Sequence, residues 1–66
     1  MIKIILNGQE KNISPINLKG LIEQFCKETA HVIAEVNGEI IKSHAWSDKK
    51  LSAGDSVELI NFVGGG

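Results

Sequence analysis

Arginine is absent from the chain, and its seven basic residues are all lysines: Lys3, Lys11, Lys19, Lys27, Lys42, Lys49 and Lys50. The bidentate guanidinium grip on phosphate or guanine is therefore missing. Eight acidic residues bring the net charge to −1, and the lysines are spread along the chain without forming a stripe, so no nucleic-acid partner is expected. Cysteine is nearly absent as well. Cys26 stands alone and cannot close an internal disulfide, which points to a reducing compartment and a fold held by packing. Long apolar runs are missing too: the strand-like stretch Ile2 to Leu6 falls far short of the roughly 20 residues a bilayer requires. With no basic leader or cleavage site before it, the expected location is the cytoplasm, away from membranes.

Ligand and catalytic patterns are equally sparse. His31 and His44 fall on different predicted elements, and with one thiol in the chain no spacing fits a zinc site, so no metal is expected. Cys26 continues an apolar helical stripe and reads as a small core residue, not a nucleophile. Asp55 and Glu58 read as a solvated turn and strand face. No nucleophile, base and orienting group come together, so the chain is not read as an enzyme.

What is present is a short alternation of strand and helix signals. At 66 residues there is room for one domain, which buries only about 60% of its unfolded surface. Ile2, Ile4 and Leu6 alternate, Asn7-Gly8 supplies the tight-turn pair, and Gln9 to Ile13 returns, predicting an N-terminal hairpin. After Ser14-Pro15 the period changes. Leu18, Leu21, Ile22, Phe25 and Cys26 fall at i, i+3, i+4, i+7 and i+8, the pattern of a helix with one apolar face. Asn17 is placed to cap it, and the helix is predicted to run to about Glu28 or Thr29. Gly20 is a weak helix former there, read as allowing a close approach to the sheet. A second hairpin follows, Val32 to Val36 and Glu39 to Lys42 about Asn37-Gly38. Ser43 to Lys50 reads as polar loop except for Trp46, which is expected over one end of the core with its indole N–H partnered. Leu51 returns to the core, and Ala53-Gly54-Asp55 turns the chain into a last strand from Ser56 to Val63.

The order β-β-α-β-β-β predicts an α+β fold: a mixed five-stranded sheet with one helix across one face, the β-grasp arrangement of ubiquitin-like domains. Periods of two and 3.6 place Ile2, Ile4, Leu6, Val57 and Leu59 on the covered side, facing Leu18, Leu21, Ile22 and Phe25. The open side then carries Ile5, Ile60 and Phe62, an apolar patch of the kind that marks a partner surface.

The sequence closes on Gly64-Gly65-Gly66, predicting a flexible tail of residues 64–66 after a β-grasp domain of residues 1–63. Glycine lacks a Cβ and passes through channels closed to other residues. Three extended residues reach about 10 Å. Such a tail would carry the Gly66 carboxylate into a partner's active site while the domain stays docked outside, which makes the chain a carried substrate.

The run Val36-Asn37-Gly38-Glu39-Ile40-Ile41, then Trp46, then Leu51-Ser52-Ala53-Gly54-Asp55-Ser56-Val57-Glu58-Leu59-Ile60 and the ending Phe62-Val63-Gly64-Gly65-Gly66 resembles the ThiS family of thiamine-biosynthesis sulfur carriers. Ile4-Ile5-Leu6-Asn7-Gly8 and the length are also similar, so the resemblance spans nearly the whole chain. Lys42-Ser43 departs from it where the family often has a proline and a basic residue. The resemblance implies that a ThiF-type adenylating enzyme uses ATP and magnesium to activate the Gly66 carboxylate. Sulfur from a persulfide donor such as a cysteine desulfurase then leaves a thiocarboxylate, which serves a ThiG-type thiazole synthase. Gly65 and Gly66 match the family's terminal pair, with Gly64 extending the tail. Two other readings stay open: the small subunit of molybdopterin synthase or another Gly-Gly sulfur carrier, and a ubiquitin-like binding module whose tail does no chemistry.

Overall fold

The computed structural model describes residues 1–26, 28 and 30–61, with the side chain of residue 61 left aside. Five strands form one mixed sheet: β1 (Ile2–Leu6), β2 (Gln9–Ile13), β3 (Val32–Val36), β4 (Glu39–Ile41) and β5 (Ser56–Asn61), in spatial order β2-β1-β5-β3-β4. The central pair, β1 and β5, runs parallel, and every other pairing is antiparallel. The helix α1 (Leu18–Phe25) lies between the two hairpins in the chain. This is the β-grasp arrangement that the order of sequence signals predicts.

Both hairpins close as expected. Asn7 and Gly8 have φ of 50° and 81°, and Asn37 and Gly38 have 54° and 85°. Two consecutive positive φ values define the type I′ turn, whose twist matches the strands it joins and which asparagine and glycine tolerate best.

One face of the sheet is covered. Ile4, Leu6 and Ile13 from the first hairpin, Ala34 and Val36 from β3, and Val57 and Leu59 from β5 are buried with Leu18, Leu21 and Ile22 of α1. The alternation within each strand thus lands on the covered face as its period demands.

Three local expectations are corrected. The helix ends at Phe25, because Cys26 leaves helical angles (φ −125°, ψ 126°) while its N–H still bonds Ile22 O at 2.8 Å. No apolar residue follows Cys26 before Ala30, so a further turn would order the chain without burying anything. Phe25, predicted to face the sheet, is 45% exposed. It lies at the rim, lining a shallow cleft with Leu6, Cys26 and Leu59. Gly20 makes room for the helix cap instead of for the sheet. A Cβ there would come within 3.3 Å of Asn17 Oδ1, the atom that accepts the Gly20 N–H at 2.8 Å.

The stretch read as polar loop is a 3₁₀ helix, Ser43–Asp48. It holds Trp46 buried over the core, with the indole N–H donating to Ile41 O at 2.8 Å. The end of this helix and the segment after it are sewn to the start of α1: Asn17 Nδ2 donates to Ser47 O at 3.1 Å, Leu18 N–H to Lys49 O at 2.7 Å and Leu51 N–H to Ile16 O at 3.3 Å. Leu51 is buried at the end of this segment, as its place in the sequence suggests.

Candidate functional site

The site is built on β5, the strand that leads into the glycine tail. Phe62, Gly64, Gly65 and Gly66 lie outside the described residues, as does the predicted boundary between residues 63 and 64. What the structure does place is the strand feeding them and the open face of the sheet beside it.

Ile5 and Ile60 are both on the open face, 39% and 45% exposed. The register separates them. Ile5 pairs with Ser56, and Ile60 lies four residues further along β5, about 13 Å at the rise of a strand. The neighbour of Ile60 is Ile33, its direct cross-strand partner on β3, which is also exposed. Ile40 on β4, 61% exposed, lies beyond Glu35 on the same face. The apolar patch is therefore Ile33 and Ile60 with Ile40 at its edge, and Ile5 stands apart. Sequence reasoning missed Ile33 and Ile40. The signal was there in the alternation of β3 and β4, but using it needed the register between β3 and β5.

Between Ile5 and Ile60 the face is acidic. Glu35 and Glu58 are directly paired across β3 and β5, a like-charge contact that costs sheets up to about 1 kcal/mol. Lys3 approaches Glu10 at 3.8 Å, an ion pair between exposed groups that contributes little.

Both Asn-Gly turns reach across to β5 with their asparagine side chains. Asn37 Oδ1 accepts from Ser56 N–H at 2.9 Å and its Nδ2 donates to Asp55 Oδ1 at 3.1 Å, holding the start of the strand. Asn7 works at the other end. Its main-chain N–H donates to Val57 O at 2.9 Å, Oδ1 accepts from Leu59 N–H at 2.8 Å and Nδ2 reaches Leu59 O at 3.4 Å. A continued parallel ladder would take Leu59 N–H to the main-chain carbonyl of residue 7 and Leu59 C=O to the N–H of residue 9. The turn removes both groups, and one side-chain amide stands in for them.

The remaining candidates are scattered. Cys26 is half-buried and packs against the core. His31 precedes β3 and His44 lies in the 3₁₀ helix, both exposed. Asp55 sits in the turn before β5, where Oδ2 accepts from Ser52 N–H at 2.8 Å, so it shapes the turn. Among the described residues no three His, Cys, Asp or Glu side chains gather as metal ligands. Among the same residues no helix is long and apolar enough to cross a membrane.

A five-stranded β-grasp sheet with one face under a helix and the other open beside its C-terminal strand defines a ubiquitin-like domain. Comparison with known proteins narrows the class. The ThiS family model matches residues 4–66, and the chain belongs to the ThiS family, the sulfur carriers of thiamine biosynthesis, which are small carrier proteins rather than enzymes. The crystal structure of a thiamine biosynthesis protein (ThiS) from Geobacter metallireducens superposes with a TM-score of 0.84 at 26% identity, over 98% of this chain and 100% of that one. The solution structure of a thiamine biosynthesis protein from the same organism gives 0.81 at 28% identity, over 98% and 88%. A thiazole synthase from Paramagnetospirillum magneticum is 29% identical over 65 residues, 97% of this chain, which spans only 20% of that protein's length.

Proposed function

We propose that the chain carries sulfur as a thiocarboxylate on Gly66. The observation that carries this reading is that the family match runs through the three glycines to residue 66. A terminal carboxyl with a pKa of about 3.3–3.7 is ionised at neutral pH and is a poor electrophile. Activation therefore comes first. One carboxylate oxygen attacks the α-phosphorus of ATP on a ThiF-type adenylating enzyme, with magnesium neutralising the phosphates, and pyrophosphate leaves. The terminal sulfur of a persulfide, supplied by a cysteine desulfurase, then attacks the acyl carbon and AMP leaves. A thiol reductant cleaves the resulting acyl disulfide to the thiocarboxylate. The sulfur acceptor is a ThiG-type thiazole synthase, which forms the thiazole ring of thiamine; a thiazole synthase that itself contains a stretch similar to 97% of this chain supports that pairing.

The domain contributes docking and delivery. Ile33, Ile40 and Ile60 form the contact surface, Ile5 standing apart beyond the Glu35–Glu58 pair, and Phe62 comes two residues after Ile60 in the sequence. The glycines supply reach without bulk. Deleting Gly65 and Gly66 tests the reading: ATP–pyrophosphate exchange by the adenylating enzyme should vanish while the thermal transition stays unchanged. A truncated protein that still supports exchange would exclude the tail as the activated group.

A further inference from the structure

We infer that Asn7 is a positioning residue for sulfur loading: its side-chain amide fixes the end of β5 and so sets the direction in which the glycine tail leaves the domain. The inference rests on the carrier reading above.

The argument is geometric. On its β3 side, β5 is held to its end by pairing that reaches Asn61 opposite Val32. On its β1 side the named pairing stops at Leu6 opposite Val57. Past that point, among the described residues, the hold on this side is the Asn7 amide on Leu59, at 2.8 and 3.4 Å. Those two bonds replace two ladder positions that the turn has removed. Without them the last residues of β5 would hang from one neighbour only, as an edge strand does. Phe62 follows Asn61 directly and Gly66 comes four residues later, so looseness at Leu59 would widen the range of starting points from which the tail must bring its carboxylate into the adenylating site. Reactions that depend on near-attack placement lose as much as about 100-fold for a 1 Å misplacement.

The molecule contains its own control. Asn37 occupies the same position of an equivalent turn, with φ of 54° against 50° for Asn7, and clamps the same strand at its opposite end through Ser56 N–H. Glycine accepts positive φ without strain, so Asn7→Gly and Asn37→Gly each keep the turn and delete only the side-chain clamp. Both variants should lose comparable stability. Only the first frees the end of β5 that leads to the tail.

The test compares the full-length wild type and these two variants as substrates of the adenylating enzyme with ATP and magnesium, below the melting transition of all three. Asn7→Gly should lower kcat about 10- to 100-fold with KM unchanged, because the docking face is intact and only the placement of the carboxylate suffers. Amide ¹⁵N relaxation gives a readout independent of turnover: the order parameters of Ile60 and Asn61 should fall from about 0.85 towards 0.6 in Asn7→Gly. Asn37→Gly should keep wild-type kcat and wild-type order at these two amides. The inference is overturned if Asn7→Gly turns over like wild type, if Asn37→Gly loses as much, if the loss lies in KM, or if Asn61 stays as ordered as before. A wild-type protein that the enzyme does not accept would overturn the carrier reading and this inference with it. A wild type that is accepted, with an unaffected Asn7→Gly, would overturn this inference alone.

Discussion

Replacing Leu21 by alanine should remove most of the stability of this domain. Leu21 is 0% exposed, on the face of α1 between Leu18 and Ile22 that covers the sheet. The substitution removes three carbons from a site walled on every side, so lost transfer energy and the residual cavity together cost about 2–5 kcal/mol. At about 0.05–0.15 kcal/mol per residue, a chain of 66 residues holds about 3–10 kcal/mol in all. Urea unfolding followed by fluorescence measures the loss well, because Trp46 is the single tryptophan and is buried against the core. With a slope near 1 kcal/mol per molar urea, the midpoint should fall by about 2 M or more. Ile60→Lys is the matched control. Ile60 is 45% exposed on the open face, so its replacement should cost less than about 1 kcal/mol. If Ile60→Lys unfolds the domain as badly as Leu21→Ala, the open face is not open and the assignment of the two sheet faces is wrong.

The other predictions concern the open face and the 3₁₀ helix. Glu58→Lys places a cation opposite Glu35 and should stabilise the domain by about 0.2–1 kcal/mol, a gain that thermal denaturation at low salt should show and high salt should diminish. Trp46→Phe removes the donor to Ile41 O along with part of the ring volume, and should cost about 1–3 kcal/mol, measured by circular dichroism because the fluorophore is gone. Ile33→Glu should leave the fold standing yet weaken binding to the adenylating enzyme by isothermal titration, since a carboxylate in an apolar contact is desolvated without a partner; unchanged binding would move the docking surface elsewhere.

The covered face was legible because two periods had to agree. Ile4, Leu6, Val57 and Leu59 repeat every two residues, Leu18, Leu21 and Ile22 repeat on a helix, and only one arrangement buries both sets. The two Asn-Gly turns were legible from local chemistry, since few other pairs take two positive φ values in succession. Phe25 shows where such reasoning stops. Periodicity puts it on the apolar face, but whether the helix still overlies the sheet at that residue depends on where the sheet ends. Ser43–Asp48 has no apolar period beyond Trp46, so its helical turns follow from tertiary anchoring. Ile33 and Ile40 escaped because their neighbours are set by strand register, and register is a property of the assembled sheet. The asparagine clamps on β5 were invisible for the same reason: Asn7 and Leu59 are 52 residues apart.

The most direct test of the carrier account is the mass of the C-terminal peptide after the full chain is incubated with a ThiF-type adenylating enzyme, ATP, magnesium, a cysteine desulfurase, cysteine and a thiol reductant. The account predicts that one oxygen is exchanged for sulfur, that the change maps to Gly66, and that omitting ATP abolishes it. An unmodified Gly66, or sulfur found on Cys26 instead, would contradict it.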